Sequence, residues 1–187
     1  MNYPTKIKKN NNNLINYDNR GMSLESDINI TNDFYISYDK AYIYKKPTPI
    51  KVTKVDYPSR KDAIIKEAFY TTPSTTDYNG IYKGYYIDFE AKETKCKTSF
   101  SLSNIHKHQI NHLKNIYRHN GISFIIVRFS LLNETYLLMT KDLLNYIDKN
   151  IRKSIPLSYF KEYGHLIKDS YQPRIDYLKI IDKILED

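Results

Sequence analysis

Thr75-Thr76-Asp77-Tyr78-Asn79-Gly80-Ile81-Tyr82-Lys83-Gly84-Tyr85-Tyr86-Ile87-Asp88-Phe89-Glu90-Ala91-Lys92-Glu93-Thr94-Lys95-Cys96-Lys97 is the stretch from which the fold can be read. Its second half, Tyr85 to Thr94, is rich in aromatic and β-branched residues and follows Lys83-Gly84, where glycine relieves the steric cost of a sharp reversal. The pattern predicts two strands joined at a tight turn. Side chains alternate faces along a strand, so Asp88, Glu90 and Lys92 project together while Phe89 and Ala91 project toward an apolar layer. Acids and a lysine that merely face water give the same alternation. What distinguishes this stretch is a further acid, Asp77, at the far end of the preceding strand; a hairpin can return it to the edge that carries Glu90. Two carboxylates and a lysine at one sheet edge suit a hard divalent cation, which takes oxygen ligands and keeps positions open for water and phosphate oxygens. The lysine can hold or activate that water, or offset charge that develops on a phosphate in the transition state. As a bare pattern, an acid, a gap and then Glu90-Ala91-Lys92 is weak. Asp88 shares a strand face with Glu90 directly, so the residues alone leave Asp77 and Asp88 as alternatives.

Composition bounds the answer independently. The chain has 187 residues, ample for one domain with its own core and too short for two comfortable ones. Lysine and arginine total 29 against 21 acids, a formal charge of +8 that favours a polyanion or an anionic surface as partner. The single cysteine, Cys96, makes no internal disulfide and no cysteine-based metal site, which fits a reducing compartment and a cytoplasmic, nucleoid-associated location. No apolar run approaches the ~18 residues that span a bilayer, and the start of the chain lacks the apolar centre of a secretion signal, so no membrane partner is expected.

Residues 1–18 combine Lys6, Lys8 and Lys9 with Asn10-Asn11-Asn12-Asn13 and read as a disordered, basic, Asn-rich tail ahead of one domain at 19–187. From Ser23 the spacing is helical through Tyr38, with Glu25 in the first turn as a dipole-compensating acid. Ala41 to Lys45 and Pro49 to Val55 are short strand candidates broken by Lys46-Pro47-Thr48-Pro49. Between Asp56 and Ser74 lie Tyr57-Pro58-Ser59-Arg60-Lys61, an amphipathic piece at 63–68 containing Lys66, and Phe69-Tyr70; cations that follow a phosphate backbone and rings that stack on bases suit an insertion that contacts DNA. Ser101 is read as opening a helix that ends at Asn120-Gly121, with Ile105, Ile110, Leu113 and Ile116 on its apolar side and His106, His108, Gln109 and His112 opposite. His108 and His112 sit one turn apart, yet without an HExxH glutamate or a cysteine cluster they do not make a zinc site and are read as solvated or phosphate-facing. Ile122 to Phe129 is a nearly continuous apolar run, as a central strand requires; Thr135 to Met139 pairs beside it, Thr140 caps a helix through Lys149, Ser158 opens a short helix, and Ile175, Leu178, Ile181 and Leu185 mark the last one.

Several long blocks resemble the RecU family of Holliday junction resolvases, of the PD-(D/E)xK nuclease superfamily: Asn19-Arg20-Gly21-Met22-Ser23-Leu24-Glu25, Lys45-Lys46-Pro47-Thr48-Pro49, Tyr57-Pro58-Ser59-Arg60, Ser74-Thr75-Thr76-Asp77-Tyr78-Asn79-Gly80, Ile87 to Lys95, His108-Gln109-Ile110, and Gly164-His165 through Tyr171-Gln172-Pro173-Arg174-Ile175-Asp176-Tyr177. The resemblance covers most of the chain from Asn19 onward. It implies an α/β, restriction-endonuclease-like core with a central mixed sheet flanked by helices, and a protruding stalk insertion at about 56–74 that enters the junction centre. By the same resemblance Asp77 and Glu90 hold Mg2+, or Mn2+, Thr75 and Gln109 complete the protein shell, Lys92 assists at the transition state, and Glu25 has an accessory catalytic role. Arg60 matches an arginine associated with DNA handling and recombinase modulation, with Lys61, Lys66, Phe69 and Tyr70 as further DNA contacts. The implied activity is a structure-selective endonuclease that resolves four-way DNA junctions by paired nicks in recombination and repair. The implied partners are the junction, a second copy of the chain, because paired nicks on a twofold substrate call for two matching sites, and a RecA-like recombinase. The alternatives are a non-catalytic DNA-binding recombinase modulator and another PD-(D/E)xK DNA nuclease.

Overall fold

The computed structural model describes residues 23–59, 61–70, 75–149 and 151–186, so the expected tail at 1–18 and Arg60 lie outside the described residues. Helix α1 (Leu24–Ser37) starts where Ser23 places its hydroxyl on the Ser26 N–H at 3.2 Å, the side-chain cap that relieves a helix's unpaired first donors. The Leu24 N–H is taken by Glu93 Oε1 at 2.6 Å, which pins the start of α1 to the strand that carries Glu90.

That strand lies near the middle of a six-stranded mixed sheet. Its members are β1 (Tyr42–Lys45), β4 (Tyr78–Tyr82), β5 (Tyr85–Thr94), β7 (Ile122–Phe129), β8 (Glu134–Met139) and β10 (His165–Ile167), in the spatial order β1-β4-β5-β7-β8-β10. All neighbours are antiparallel except β5 and β7. A parallel pair cannot be closed by a tight turn. The chain therefore crosses over between them through α2 (Lys107–Arg118), which is thereby laid against β5 and β7. Two apolar layers result. Leu24, Ile28 and Tyr35 of α1 and Leu178 and Ile181 of α5 (Leu178–Glu186) pack with Ile87, Phe89, Phe124 and Ile126 on one face of the sheet. Leu113 of α2, Leu143 of α3 (Thr140–Lys149) and Phe160 of α4 (Leu157–Tyr163) pack with Ile125, Val127 and Leu138 on the other. Ile122 to Val127 are buried throughout, as expected of a strand covered on both sides.

The remaining strands stand outside this sheet. β6 (Ser99–Ser101) pairs with β9 (Ser154–Pro156), and β2 (Ile50–Asp56) pairs only with β3 (Ile64–Tyr70) in a two-stranded hairpin whose strand residues are all exposed. The exposed insertion thus begins at Ile50, before the expected position near residue 56, because β2 pairs with β3 and not with the core; the amphipathic piece at 63–68 is part of strand β3.

Other local readings shift as well. Ser101 caps a 3-10 turn at Leu102–Asn104, and α2 starts only at Lys107, after His106. Thr140 is the first residue of α3, with a buried hydroxyl that has no hydrogen-bond partner. Ser158 lies inside α4, which follows Pro156 at the cap position. Ile175 precedes α5 in an isolated bridge to Asp169.

Gly80 permits the β1–β4 pairing. A Cβ there would lie 2.1 Å from the Tyr42 carbonyl oxygen and 2.5 Å from Ile43 Cα, and backbone at such distances cannot yield. Gly80→Ala is expected to lower stability by about 3 kcal/mol, read as a lower urea midpoint with an unchanged slope.

Candidate active site

The β4–β5 turn is made by two residues with positive φ, Lys83 at 49° and Gly84 at 82°, the backbone shape of a two-residue hairpin loop. This turn sets the register: Tyr78 faces Phe89, so Asp77 falls one residue beyond the last pair and beside Glu90. Below them, on the core face, Tyr78, Phe89 and Phe124 stack across three strands with centroids 4.9 and 4.8 Å apart and planes within 11° and 9°. Stacked rings at register positions fix the three strands relative to one another. The acids on the opposite face inherit that fixed spacing.

Asp77 Oδ2 accepts the Ala91 N–H at 3.1 Å, from the residue between Glu90 and Lys92. Glu90 is fully buried. Its Oε1 accepts from Gln109 Nε2 at 2.7 Å and pairs with the Lys92 ammonium, while its Oε2 is buried with no hydrogen-bond partner. The Gln109 carbonyl oxygen in turn accepts the His106 N–H at 3.0 Å, which locks the amide at the start of α2. Burial, and then the Asp77 carboxylate, push the Glu90 carboxyl up to about 7, against the opposing pull of Lys92. A cleft of about 250 Å³ opens beside the pair, lined by Ser23, Glu25, Asp77, Ala91, Lys92 and Glu93 among others.

These residues fit a divalent cation. Two carboxylates held together, Glu90 fully buried and Asp77 half-buried at the cleft, repel each other, and a buried acceptor oxygen without a donor is costly; a bound cation relieves both. Among the described residues no group of three or more His, Cys, Asp and Glu gathers into a cage. A small hard ion needs none, since it is held through one or two carboxylates and completes its shell with water and substrate phosphate.

The other expected residues are placed as follows. Glu25 lines the same cleft, exposed and ion-paired to Lys45. Thr75 is exposed, and its hydroxyl accepts from Lys46 Nζ at 3.2 Å. Lys61, Lys66, Phe69 and Tyr70 are all exposed on the β2–β3 hairpin, Lys66 paired with Asp56 at 2.9 Å. Asp88 is drawn into a separate group: Lys46 Nζ lies 2.6 Å and His112 Nε2 3.1 Å from its Oδ2.

His112 is therefore half-buried against Asp88 and Lys46, not fully solvated. The expected division of α2 into faces fails because Gln109 and Leu113, four residues apart and so on one side of a helix, are both buried, and His112 lies beside them. Lys46 was not singled out from the sequence. The usable signal was Asp88 itself, an acid amid a strand of buried residues, which demands a cationic partner from elsewhere in the chain.

Fold and motif together define an α/β protein of the PD-(D/E)xK nuclease class: a mixed sheet, a converging acid pair, and a lysine two residues after the second acid. The family model described as "Recombination protein U" matches residues 19–183. The chain belongs to the RecU family. It is 54% identical over 172 residues to a protein of Geobacillus sp. (strain WCH70) named Holliday junction resolvase RecU, covering 90% of this chain and 86% of that one. A protein of the same name from Bacillus cereus (strain AH820) is 50% identical over 185 residues, 97% of this chain and 90% of that one. Among solved structures, Archaeoglobus fulgidus Hjc, a Holliday junction resolvase, aligns over 72% of this chain and 90% of that one, at 10% identity and a TM-score of 0.41.

Proposed function

We propose that this protein is a structure-selective endonuclease that resolves four-way DNA junctions by paired, divalent-metal-dependent nicks, with magnesium as its ion and manganese as a substitute. The observation that carries the reading is the convergence of Asp77 and Glu90, with Glu90 Oε2 buried and unpartnered, in a chain whose relatives are named for junction resolution.

Asp77 and Glu90 would hold the ion, which when bound supplies Lewis-acid polarisation of the scissile phosphate and a more acidic water. The chain's own groups do the rest. Gln109 occupies Glu90 Oε1, which leaves Oε2 as the oxygen that would be available to an ion. Lys92, about a quarter exposed, is paired with Glu90 yet open to an incoming phosphate, where its ammonium offsets the charge gathering on the oxygens. Glu25 at the cleft rim and Thr75, two residues before Asp77, are auxiliary members of the site. The β2–β3 hairpin is the DNA-handling stalk, with Lys61 and Lys66 for phosphates and Phe69 and Tyr70 for bases, Phe69 and Tyr70 being 60% and 80% exposed. Two copies of the chain present two such sites to the twofold junction, in the cytoplasm beside the nucleoid, where a RecA-like recombinase is a further partner.

A synthetic mobile four-way junction incubated with the purified protein tests this. Symmetric paired nicks with Mg2+ or Mn2+ and none with EDTA are expected; an intact junction under all three conditions refutes it. Affinity for the junction, measured in EDTA, is expected to fall roughly a thousand-fold or more between 50 and 200 mM salt, because many phosphates are contacted and counterions are released. A salt-independent affinity would remove the electrostatic account of binding.

A further inference from the structure

Asp88 is fully buried, two residues before Glu90, and has no part in the chemistry described above. Its carboxylate is nonetheless among the most heavily engaged groups in the molecule. It accepts from Lys46 Nζ at 2.6 Å, from the Tyr86 hydroxyl at 3.0 Å and from the Thr76 hydroxyl, and it lies 3.1 Å from His112 Nε2. The Lys46 ammonium has three protons to give, and Asp88, Thr76 at 2.6 Å and Thr75 at 3.2 Å are its three oxygen acceptors. The Lys46 backbone N–H donates as well, to the Asp77 carbonyl at 2.8 Å.

The position of Lys46 gives these contacts their meaning. It opens the Lys46-Pro47-Thr48-Pro49 segment that leads into β2, while Thr75, Thr76 and Asp77 form the segment that enters β4 on the return from β3. The two roots of the exposed hairpin meet at this one side chain, and the side chain is anchored to β5 beside Glu90. Neither hairpin strand has a partner in the main sheet. This tie adds to the Lys46 N–H on the Asp77 carbonyl and the Ala91 N–H on Asp77 Oδ2 in fixing the Thr75–Asp77 segment, whose last residue carries one of the two converging carboxylates.

We propose that Lys46 and Asp88, bridged by Thr76, are positioning residues for junction cleavage: they lock both roots of the hairpin to β5 and thereby hold the Asp77 carboxylate against Glu90. This inference rests on the reading of Asp77 and Glu90 as ion-holding groups. Its consequence is that a load applied to the hairpin by DNA is carried to the acid pair through a buried ion pair and two hydroxyls. Outer groups that orient the ligands of an ion typically change affinity or rate by about 10- to 100-fold when removed.

The test uses Lys46→Met, Thr76→Val and the double variant Lys46→Met/Asp88→Asn. Four quantities are measured: melting temperature, junction affinity in EDTA, the single-turnover rate at saturating junction across a Mn2+ titration, and amide exchange over residues 75–82 in metal-free protein. Lys46→Met is expected to cut about 10- to 100-fold more slowly and to need roughly tenfold more Mn2+, with amides at 76–78 exchanging faster and junction affinity in EDTA within about twofold. Asp88→Asn removes the buried charge that Lys46→Met leaves unpaired, so the double variant regains most of the melting temperature while keeping the slow rate and the raised Mn2+ requirement. A role limited to stability predicts that rate and melting temperature recover together, and that result overturns the proposal. If Lys46→Met does not fold, Thr76→Val, which keeps the side-chain shape and loses the bridging hydroxyl, carries the same measurements; wild-type rate, Mn2+ requirement and exchange in that variant also overturn it. Wild-type cleavage that Glu90→Gln abolishes but these variants leave intact defeats this inference alone. A wild-type protein that cuts nothing defeats the functional reading and the inference with it.

Discussion

Glu90→Gln is expected to lower the rate of junction cleavage by roughly a thousand-fold or more while leaving junction binding at least as tight as in the unaltered protein. Gln keeps the volume and an oxygen for the Gln109 amide, so the fold and the start of α2 are undisturbed. What disappears is the negative charge on a buried acid with an unpartnered oxygen. Several kcal/mol of transition-state stabilisation comes from a catalytic ion, and about 4 kcal/mol corresponds to a thousand-fold in rate. Binding behaves in the opposite sense, because a carboxylate lost from a DNA-facing cleft removes repulsion toward phosphate. Asp77→Asn is expected to reproduce the loss, since Asp77 is the second carboxyl of the pair. Asp88→Asn should act differently, by loosening the Lys46 anchor, and is expected to cost about 10- to 100-fold. Near-normal cleavage by the Asp77 variant beside an inactive Asp88 variant would reverse the assignment.

Asp27→Ala is expected to destabilise the fold by about 3–5 kcal/mol, equivalent to roughly a 10 °C drop in melting temperature for a domain of this size. Asp27 is 4% exposed and receives two guanidiniums, Arg128 Nη2 at 2.7 Å and Arg174 Nε at 2.8 Å. Removing it leaves two guanidiniums facing each other without the buried carboxylate between them, and the more distant Glu93 and Asp169 near Arg128 replace only part of it. The three residues come from α1, from β7 and from the segment ahead of α5, so one carboxylate ties the start of the described chain to its end. Arg128 also lies 3.8 Å from Glu93, the acid on the Leu24 N–H. A thermal melt of Asp27→Ala within about 3 °C of the unaltered protein would show that the arginines find other partners.

What the sequence made legible follows from range. The β4–β5 hairpin, the apolar β7 with β8 beside it, and the helices α1 and α3 were readable because alternation, turn residues and apolar runs are local. The approach of Asp77 to Glu90 was readable because it follows from one hairpin register. Four features were not. The inward turn of His112 depends on how α2 is rotated against the sheet, which four scattered apolar residues do not determine. β10 is a three-residue strand, too short to leave a pattern. The Lys46–Asp88 contact joins residues 42 apart, and no periodicity reports a pairing at that distance. Pro47 and Pro49 break the two strand candidates, and the second of these, β2, leaves the main sheet to pair with β3, a destination that no local pattern reports.

The free hairpin has a consequence for the protein in solution. β2 and β3 each leave a strand edge unpaired and carry Ile50, Val52, Val55, Ile64 and Ile65 in exposed positions. Such edges invite a second strand unless charge keeps neighbours apart. Lys51, Lys54, Lys61 and Lys66 supply that charge here. Screening by salt weakens the mutual repulsion of hairpins at the same time as it weakens their hold on nucleic acid. Concentrated stocks without DNA should therefore cloud as ionic strength rises and clear when a polyanion coats the lysines, so the colloidal behaviour of the protein is governed by the element that handles its substrate.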